Sequence, residues 1–493
     1  MRYNKIFMAF FAALFISSCS GDFLDKEPTQ NASEEQVQEL LKNDPTKIQA
    51  YITGYYRNLF DPESGASHDD FGLKAIELAT DLMGSDMAYY NSHFFVYDYN
   101  WDNRGSGYRR PTQTWQQLYA VISGANTVIS SLKPKEGESI STEIEYMLGQ
   151  SYTVRAYAYF WLVNMFQQPY QWNKDKLGIP LYTEDQTRLE RCSVSDVYAQ
   201  ILSDIDKGYN YLKGKGIAKK SELNEFAAAA IYANVLAFVS DEPNQWQKVA
   251  QYAELAIAGG TLMNSTELLS GLNNINLSEV LWGADIDSES NTFYASFMSH
   301  MDPYSPGYGG DLGNYKMIAS DLYDKISDTD IRKKWFGVDL AESNALYKYS
   351  AYVQKKFIDV GSQGGDVFSS DYIYLRTGEM YFLEAEALFM AGDESGAKAK
   401  LSSIMLTRDP QYSVTVSGDA LLDEIKLQKR IEMWGEGRRL LDMKRRAEPL
   451  DRTQGINHRP TVLKTAGAND YRMIYLIPDK ELNANSEITE QNP

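Results

Sequence analysis

The chain has 493 residues, a formal net charge of −19, 43% hydrophobic and 23% charged residues. That length allows one large domain or a few smaller ones, and the composition is globular rather than fibrous or disordered. The acidic balance argues against nucleic acid as a partner, since phosphate neutralisation needs a basic face, and with only Cys19 and Cys192 a cysteine-rich zinc site is excluded.

The N-terminal segment opens with the cations Arg2 and Lys5, and Ile6 to Ile16 carries no charge. This run is too short for a membrane-spanning helix, which takes about 20 apolar residues, and has the length of the apolar stretch of an export signal. Ser17, Ser18 and then Cys19 follow. Cations, a short apolar run, small residues and cysteine make a bacterial lipoprotein signal, with Cys19 as the lipidated residue. A single acyl chain binds a membrane only marginally, and two or more anchor it stably. Acylation of Cys19 would leave Cys192 without an intramolecular disulfide partner. Ser20 to Ala32 is polar, contains Pro28, and reads as a tether that reaches about 45 Å when extended.

Residues 60–115 are rich in Gly, Asp, Asn and Tyr and lack sustained helical periodicity. A helix is expected over 146–166, ended by Pro169, Gly178 and Pro180. Another is expected over 224–239, where Ala227, Ala230, Asn234 and Ala237 share one face beside Ile231, Val235 and Phe238. A further helix follows over 246–258. Residues 283–320 are irregular again. Tyr374 to Ala391 reads as a helix, Gly392-Asp393 as a turn, and a second helix starts at Glu394. Helix, short turn, helix, with Ala and aromatic residues interleaved, is how tetratricopeptide-type repeats look, here at irregular spacing. The expected fold is mostly α: a tetratricopeptide-like scaffold with long irregular loop insertions.

Catalytic motifs are missing. GxSxG, HExxH and Walker sequences do not occur, and GYGGDLG at 307–313 lacks the spacing of a dinucleotide loop. His68, His93, His300 and His458 are too scattered along the chain to suggest a metal or triad set. Asp285, Asp287 and Glu289 alternate as in a calcium loop, but Ser290 stands where glycine is needed, so they read as a solvated acidic loop. Glu432 and Glu436, among Arg430, Arg438 and Arg439, read as an ion network fixing a helix to its neighbours. No catalytic residue, metal or cofactor is expected.

Several stretches together carry a resemblance. They are Tyr374-Leu375-Arg376 through Glu379, Tyr381, Leu383 and Ala385-Glu386-Ala387; Arg430, Glu432, Glu436-Gly437, Arg439, Asp442 and Arg445; Arg155-Ala156-Tyr157 with Phe160 and Leu162; Gly178-Ile179-Pro180-Leu181; Asp330-Ile331-Arg332; and Ile477-Pro478, Glu481-Leu482, Asn485 and Gln491-Asn492-Pro493. In this order, behind the Cys19 signal, the chain resembles the SusD/RagB family of outer-membrane lipoproteins from Bacteroidetes along nearly its whole length. Leu440, in place of a frequent aromatic, and Gln167-Gln168, in place of a glycine turn, depart from the pattern in packing positions. The resemblance implies a lipoprotein signal over 1–18, a tether over 19–32 and a single SusD-like domain over 33–493. It also implies a non-enzymatic, cell-surface protein, lipid-anchored in the outer membrane, that captures oligosaccharides. As a lid, it would deliver them to a SusC-like TonB-dependent transporter. A peptide-binding relative and a glycoside hydrolase on a helical scaffold are the alternatives.

Sugar rings carry C–H groups on their faces and hydroxyls at their edges, so a site for them needs flat aromatic faces beside planar polar groups. The two irregular segments supply both. Candidate ligand-binding residues are Trp101, Tyr90, Tyr89, Asp81, Asp86 and Asn100 from the first, with His93 and Arg104 nearby. The second offers Tyr304 and Tyr308, amid Asp302, Asp311, Asn314 and Tyr315. Trp101, with the largest flat face, is the first choice.

Overall fold

The computed structural model describes residues 47–62 and 67–493. Cys19, the signal over 1–18 and the tether over 19–32 lie outside the described residues. Gln49–Pro493 form one compact unit, built mainly of helices: α1 (Ile48–Arg57), α2 (Leu73–Met83), α3 (Arg109–Leu132), α4 (Thr142–Phe166), α5 (Val194–Leu212), α6 (Glu225–Leu236), α7 (Gln245–Ile257), α8 (Thr377–Met390), α9 (Glu394–Arg408), α10 (Asp419–Glu432) and α11 (Arg439–Arg445). From α3 to α9 each packs against the next, and α10 returns to α8. This is the serial packing expected of helix pairs that cannot bury their apolar faces alone. The α8–α9–α10 core is Phe382, Ala385, Ala397, Leu401, Ile404, Met405, Leu421 and Ile425.

Local sequence sets the starts of these helices. Ser141, Ser193, Asn224 and Asp393 each accept a hydrogen bond from an N–H of the first turn that follows, which satisfies donors the helix itself leaves free. The helices expected at 146–166, 224–239 and 246–258 are present with shifted ends. Two expectations need correction. Tyr374-Leu375-Arg376 do not open α8. With Tyr372 and Ile373 they form strand β4 (Tyr372–Arg376), antiparallel to β2 (Val280–Ala284). Both strands are buried throughout, and a short apolar run buried on both sides carries no period to separate strand from helix. Residues 60–115 are also not uniformly irregular, because they hold α2 and the start of α3. Every residue of α2 is buried, including Lys74, Glu77 and Asp81, which share one stripe of the helix and face the interior rather than solvent.

Charged groups run through the interior. The Glu432 carboxylate accepts from Arg332 at 3.2 Å, Arg376 at 2.8 Å and Arg408 at 2.9 Å. Glu436 accepts from Lys356 at 2.6 Å and Arg376 at 2.7 Å. The ion network around these acids therefore exists with other partners than its sequence neighbours. Arg430 and Arg439 pair instead with Asp86, and Arg438 with Glu77 and Glu379. The strand pair β1 (Met87–Tyr89) and β3 (Lys316–Ile318) is antiparallel, with Met87 opposite Ile318 and Tyr89 opposite Lys316. It ties the two loop-rich segments to each other.

Candidate functional site

Beside the β1–β3 pair, aromatic rings from both loop segments converge. Tyr308 sits at the centre. Its ring stacks on His300 at 4.6 Å and 8° and meets Phe94 edge-on at 5.3 Å. His68, His93 and Tyr294 surround it at 5.8, 6.0 and 6.4 Å. His68 stacks on Tyr294 at 5.9 Å, and Tyr294 touches Phe368 at 5.8 Å. The outer members face solvent: Phe293 is 67% exposed, Tyr294 45% and, on the same loop as Tyr308, Tyr304 52%. His68 and His93 are exposed as well.

Backbone chemistry explains why these rings stand where they do. Asp302, buried at the base of the loop, accepts from the N–H groups of Tyr304 and Asp359 at 2.8 and 2.9 Å and from the Ser362 hydroxyl. Gly309 N–H donates to the Ser299 carbonyl at 2.7 Å. A Cβ on Gly310 would lie 2.0 Å from the Ser305 carbonyl oxygen, so only glycine lets this loop fold back on itself and present Tyr308. Asn291 caps its own turn by accepting from Phe293 N–H and donates to the Val367 carbonyl at 2.6 Å. Phe94, Phe293 and Phe368 have φ of 30°, 51° and 59°. Aromatic residues seldom adopt this left-handed region, and such strain concentrates at ligand-holding segments.

The polar groups are set by the same packing. His300 Nε2–H donates to the His68 carbonyl at 2.6 Å, and the Tyr308 hydroxyl bonds His68 Nδ1 at 2.6 Å. Burial, with Lys316 nearby, pushes the His300 imidazole down to about 3, so it is neutral. Burial also brings the Lys316 ammonium, which donates to the His300 and Asn314 carbonyls, down to about 7. Three histidines that looked scattered in the sequence thus share one cluster, although no group of His, Cys, Asp or Glu among the described residues is arranged to hold a metal.

Of the residues expected at a site, Tyr308 lies inside this cluster and Tyr304 beside it in sequence. Trp101 does not join them. It is 3% exposed, its indole N–H donates to the Met83 carbonyl at 2.8 Å, and Arg472 lies over its ring at 5.8 Å. Tyr89 is buried with its hydroxyl on the His93 carbonyl at 2.9 Å. Tyr90 is half-buried against Tyr349 at 5.7 Å. Asn100 is half-buried behind Trp101 in sequence, and its carbonyl oxygen is buried without a partner among the described residues. Asp81 accepts from Gly437 N–H at 2.8 Å, and burial raises its carboxyl to about 7. Asp86 is also buried, but Arg430 and Arg439 overcome that and hold it at about 2. Of these six, Trp101, Tyr89, Asp81 and Asp86 are buried and engaged with the protein, and Tyr90 and Asn100 are half-buried outside the ring cluster. His68, Phe94 and Tyr294, which do the converging, were not singled out from the sequence. The Asn291 to Tyr294 stretch, an Asx turn ending in two aromatics, was the one local signal.

Comparison with known proteins assigns the chain. A family model described as starch-binding associating with the outer membrane matches residues 22–236, and the SusD family model matches residues 286–493. The chain belongs to the SusD/RagB family. No curated protein matches it significantly. Among solved structures, a SusD-like carbohydrate-binding protein from Bacteroides vulgatus is 22% identical with a TM-score of 0.77, over 90% of this chain and 97% of that one. A SusD superfamily protein from Bacteroides thetaiotaomicron is 22% identical with a TM-score of 0.76, over 91% and 99%. Surface glycan-binding protein A from Bacteroides thetaiotaomicron, solved with laminarihexaose, is 14% identical with a TM-score of 0.68, over 91% and 99%. These likenesses establish the SusD-like fold. The SusD/RagB motif residues Arg376, Glu379, Glu432, Glu436 and Asp330-Arg332 all lie in the buried charge network. They specify the scaffold, and the aromatic cluster lies outside them.

Proposed function

We propose that this SusD/RagB protein is a cell-surface binder of oligosaccharides that captures its ligand on the His68–Phe94–Tyr294–Tyr308 surface and does not cleave it. The observation that carries the reading is the convergence of the exposed His68 and Tyr294 rings with the half-buried Phe94, from separate segments, over the buried Tyr308. Rings of this kind take the C–H faces of a sugar, and the exposed imidazoles of His68 and His93 reach its hydroxyls. The structural relatives include proteins described as carbohydrate-binding and as binding laminarihexaose, which supports a glycan over a peptide. Within the same reading, Cys19 anchors the protein in the outer membrane, the 19–32 segment tethers the 33–493 domain, and a SusC-like TonB-dependent transporter receives the ligand.

Titration of the purified protein against a panel of neutral oligosaccharides and peptides tests the ligand class, with release of reducing ends followed in parallel. Binding of a glycan with no new reducing ends is the expected result. Preference for peptides, or turnover that persists through purification, would overturn the reading. Replacing Cys19 with Ala should move the protein out of the membrane fraction in cells lacking the neighbouring transporter.

A further inference from the structure

A second cleft opens where β2 ends, and it is independent of the ring cluster. It has a volume of about 300 Å³ and is lined by Thr53, Tyr56 and Phe60 of the α1 region, by Trp282, and by Asp285 and Ser290 of the acidic loop, among others. That volume lies at the lower end of the range for small-molecule clefts. Its wall is aromatic. Tyr56 and Phe60 are half-buried, and Trp282 lies beneath them, 6.4 Å from the Tyr56 ring and 4.8 Å from Tyr374. The wall is also firmly held: the Tyr56 hydroxyl donates to Gln150 at 2.6 Å and accepts from Leu223 N–H at 2.8 Å. Its rim is polar. Asp371 accepts from the N–H groups of Ile275 and Ile286 at 2.8 and 3.0 Å, which fixes the chain around Asp285. Asp285 itself is exposed and has no ion pair among the described residues.

We infer that this cleft is a second subsite for a neutral oligosaccharide, engaged by the same ligand that lies on the Tyr294 surface. The inference rests on the glycan-binding reading above. Half-buried rings beside a carboxylate suit hydroxyl donors on an apolar ring; Arg57, which also lines the cleft, is paired with Asp61. Connectivity supplies the link between the two places. Ser290 lines the cleft and Tyr294 belongs to the ring cluster, so the four chain steps from one to the other span no more than about 14 Å. A ligand long enough to touch both gains from its second contact without a second loss of translational freedom, so its affinity climbs with chain length.

Calorimetric titration with malto- and laminari-oligosaccharides, from disaccharide to octasaccharide, tests this. Two variants are compared with wild type: Thr53→Trp, which fills the cleft from an exposed helix position, and Asp285→Ala, which removes the rim carboxylate. Thermal midpoints check that both fold. The wild type should gain affinity with chain length. Thr53→Trp should lose at least about tenfold for the longest ligand that binds and nothing for the shortest, and Asp285→Ala should lose in the same sense. If the wild type gains with length and both folded variants match it, the second subsite is wrong and the glycan-binding reading stands. If affinity is flat with length, the subsite also fails. If no oligosaccharide binds the wild type at any length, both readings fall together.

Discussion

The charged interior around Glu432 and the aromatic surface around Tyr308 are opposite solutions to holding a chain in place. In the interior, four basic side chains (Arg332, Arg376, Arg408 and Lys356) close on four carboxylates (Glu279, Asp330, Glu432 and Glu436), and all eight are buried. At the surface, Tyr308, Tyr294 and Phe94 are held by ring contacts, glycine turns and side-chain caps, and several rings stay in solvent. A buried ion network tolerates almost no change, because each removed partner strands another charge. A ring held on a loop can be exchanged with little effect on folding. The interior therefore holds the family-motif residues Arg376, Glu432 and Glu436, and the aromatic surface lies outside them.

The comparison breaks most visibly at Glu432. Glu432→Ala removes the carboxylate shared by Arg332, Arg376 and Arg408 and leaves Asp330, Glu279 and Glu436 to balance four buried cations, so it should destabilise the fold by about 3–5 kcal/mol, read as a large fall in thermal midpoint or loss of soluble protein. A midpoint close to wild type would mean that the network does not hold the scaffold. Trp101 sharpens the division between support and contact. Trp101→Ala should cost about 3–5 kcal/mol of stability, while the folded fraction keeps wild-type glycan affinity. Weakened binding with an unchanged midpoint would return Trp101 to the ligand surface.

Tyr294 tests the other side. Tyr294→Ala should cost about 2 kcal/mol of glycan binding, roughly thirtyfold in Kd, with the midpoint unchanged. Intact binding would remove the ring cluster from the proposed site. The smallest expected effect is acidic. Despite their burial, Asp86 is held near 2 by Arg430 and Arg439, and Glu436 near 2 by Arg376 and Lys356. Both native carboxyls titrate below their ordinary values, so the unfolded chain takes up protons first as pH falls. Their contribution is complete above the ordinary carboxylate range and is lost as pH drops through about 2. Melting between pH 5 and 2 should show this decline, with a flatter slope in Asp86→Asn. An unchanged slope would argue that Asp86 adds nothing beyond its hydrogen bonds.

Much of the scaffold was legible in the residues. Helix pairs followed from Ala-rich and aromatic periodicity, and an ion network from Glu432 and Glu436 among arginines; in the structure Asn224 and Asp393 cap two of these helices. These are local properties, because a helix repeats over a few residues and a cap acts within one turn. Strand β4 escaped because five residues buried on both sides show no period. Helix α2, eleven residues between Gly72 and Gly84, escaped because the Gly- and Asp-rich stretches on either side outweighed so short a periodic run.

The chain's own pattern thus determined the helical class and the family motifs, and it marked the two irregular segments as unlike the rest. Tertiary structure alone decided which aromatics in those segments reach solvent. Composition could not separate Trp101, whose indole is bonded beneath the loop, from Tyr294, whose ring stands clear. That difference depends on residues far apart in sequence, such as Met83 against Trp101 and Asn291 against Val367. Nor could it unite His68, His93 and His300, because they meet only when the pairing of Tyr89 with Lys316 draws two distant loops together. Contacts of that range leave no periodic trace along a chain, so the site exists only once the fold has closed.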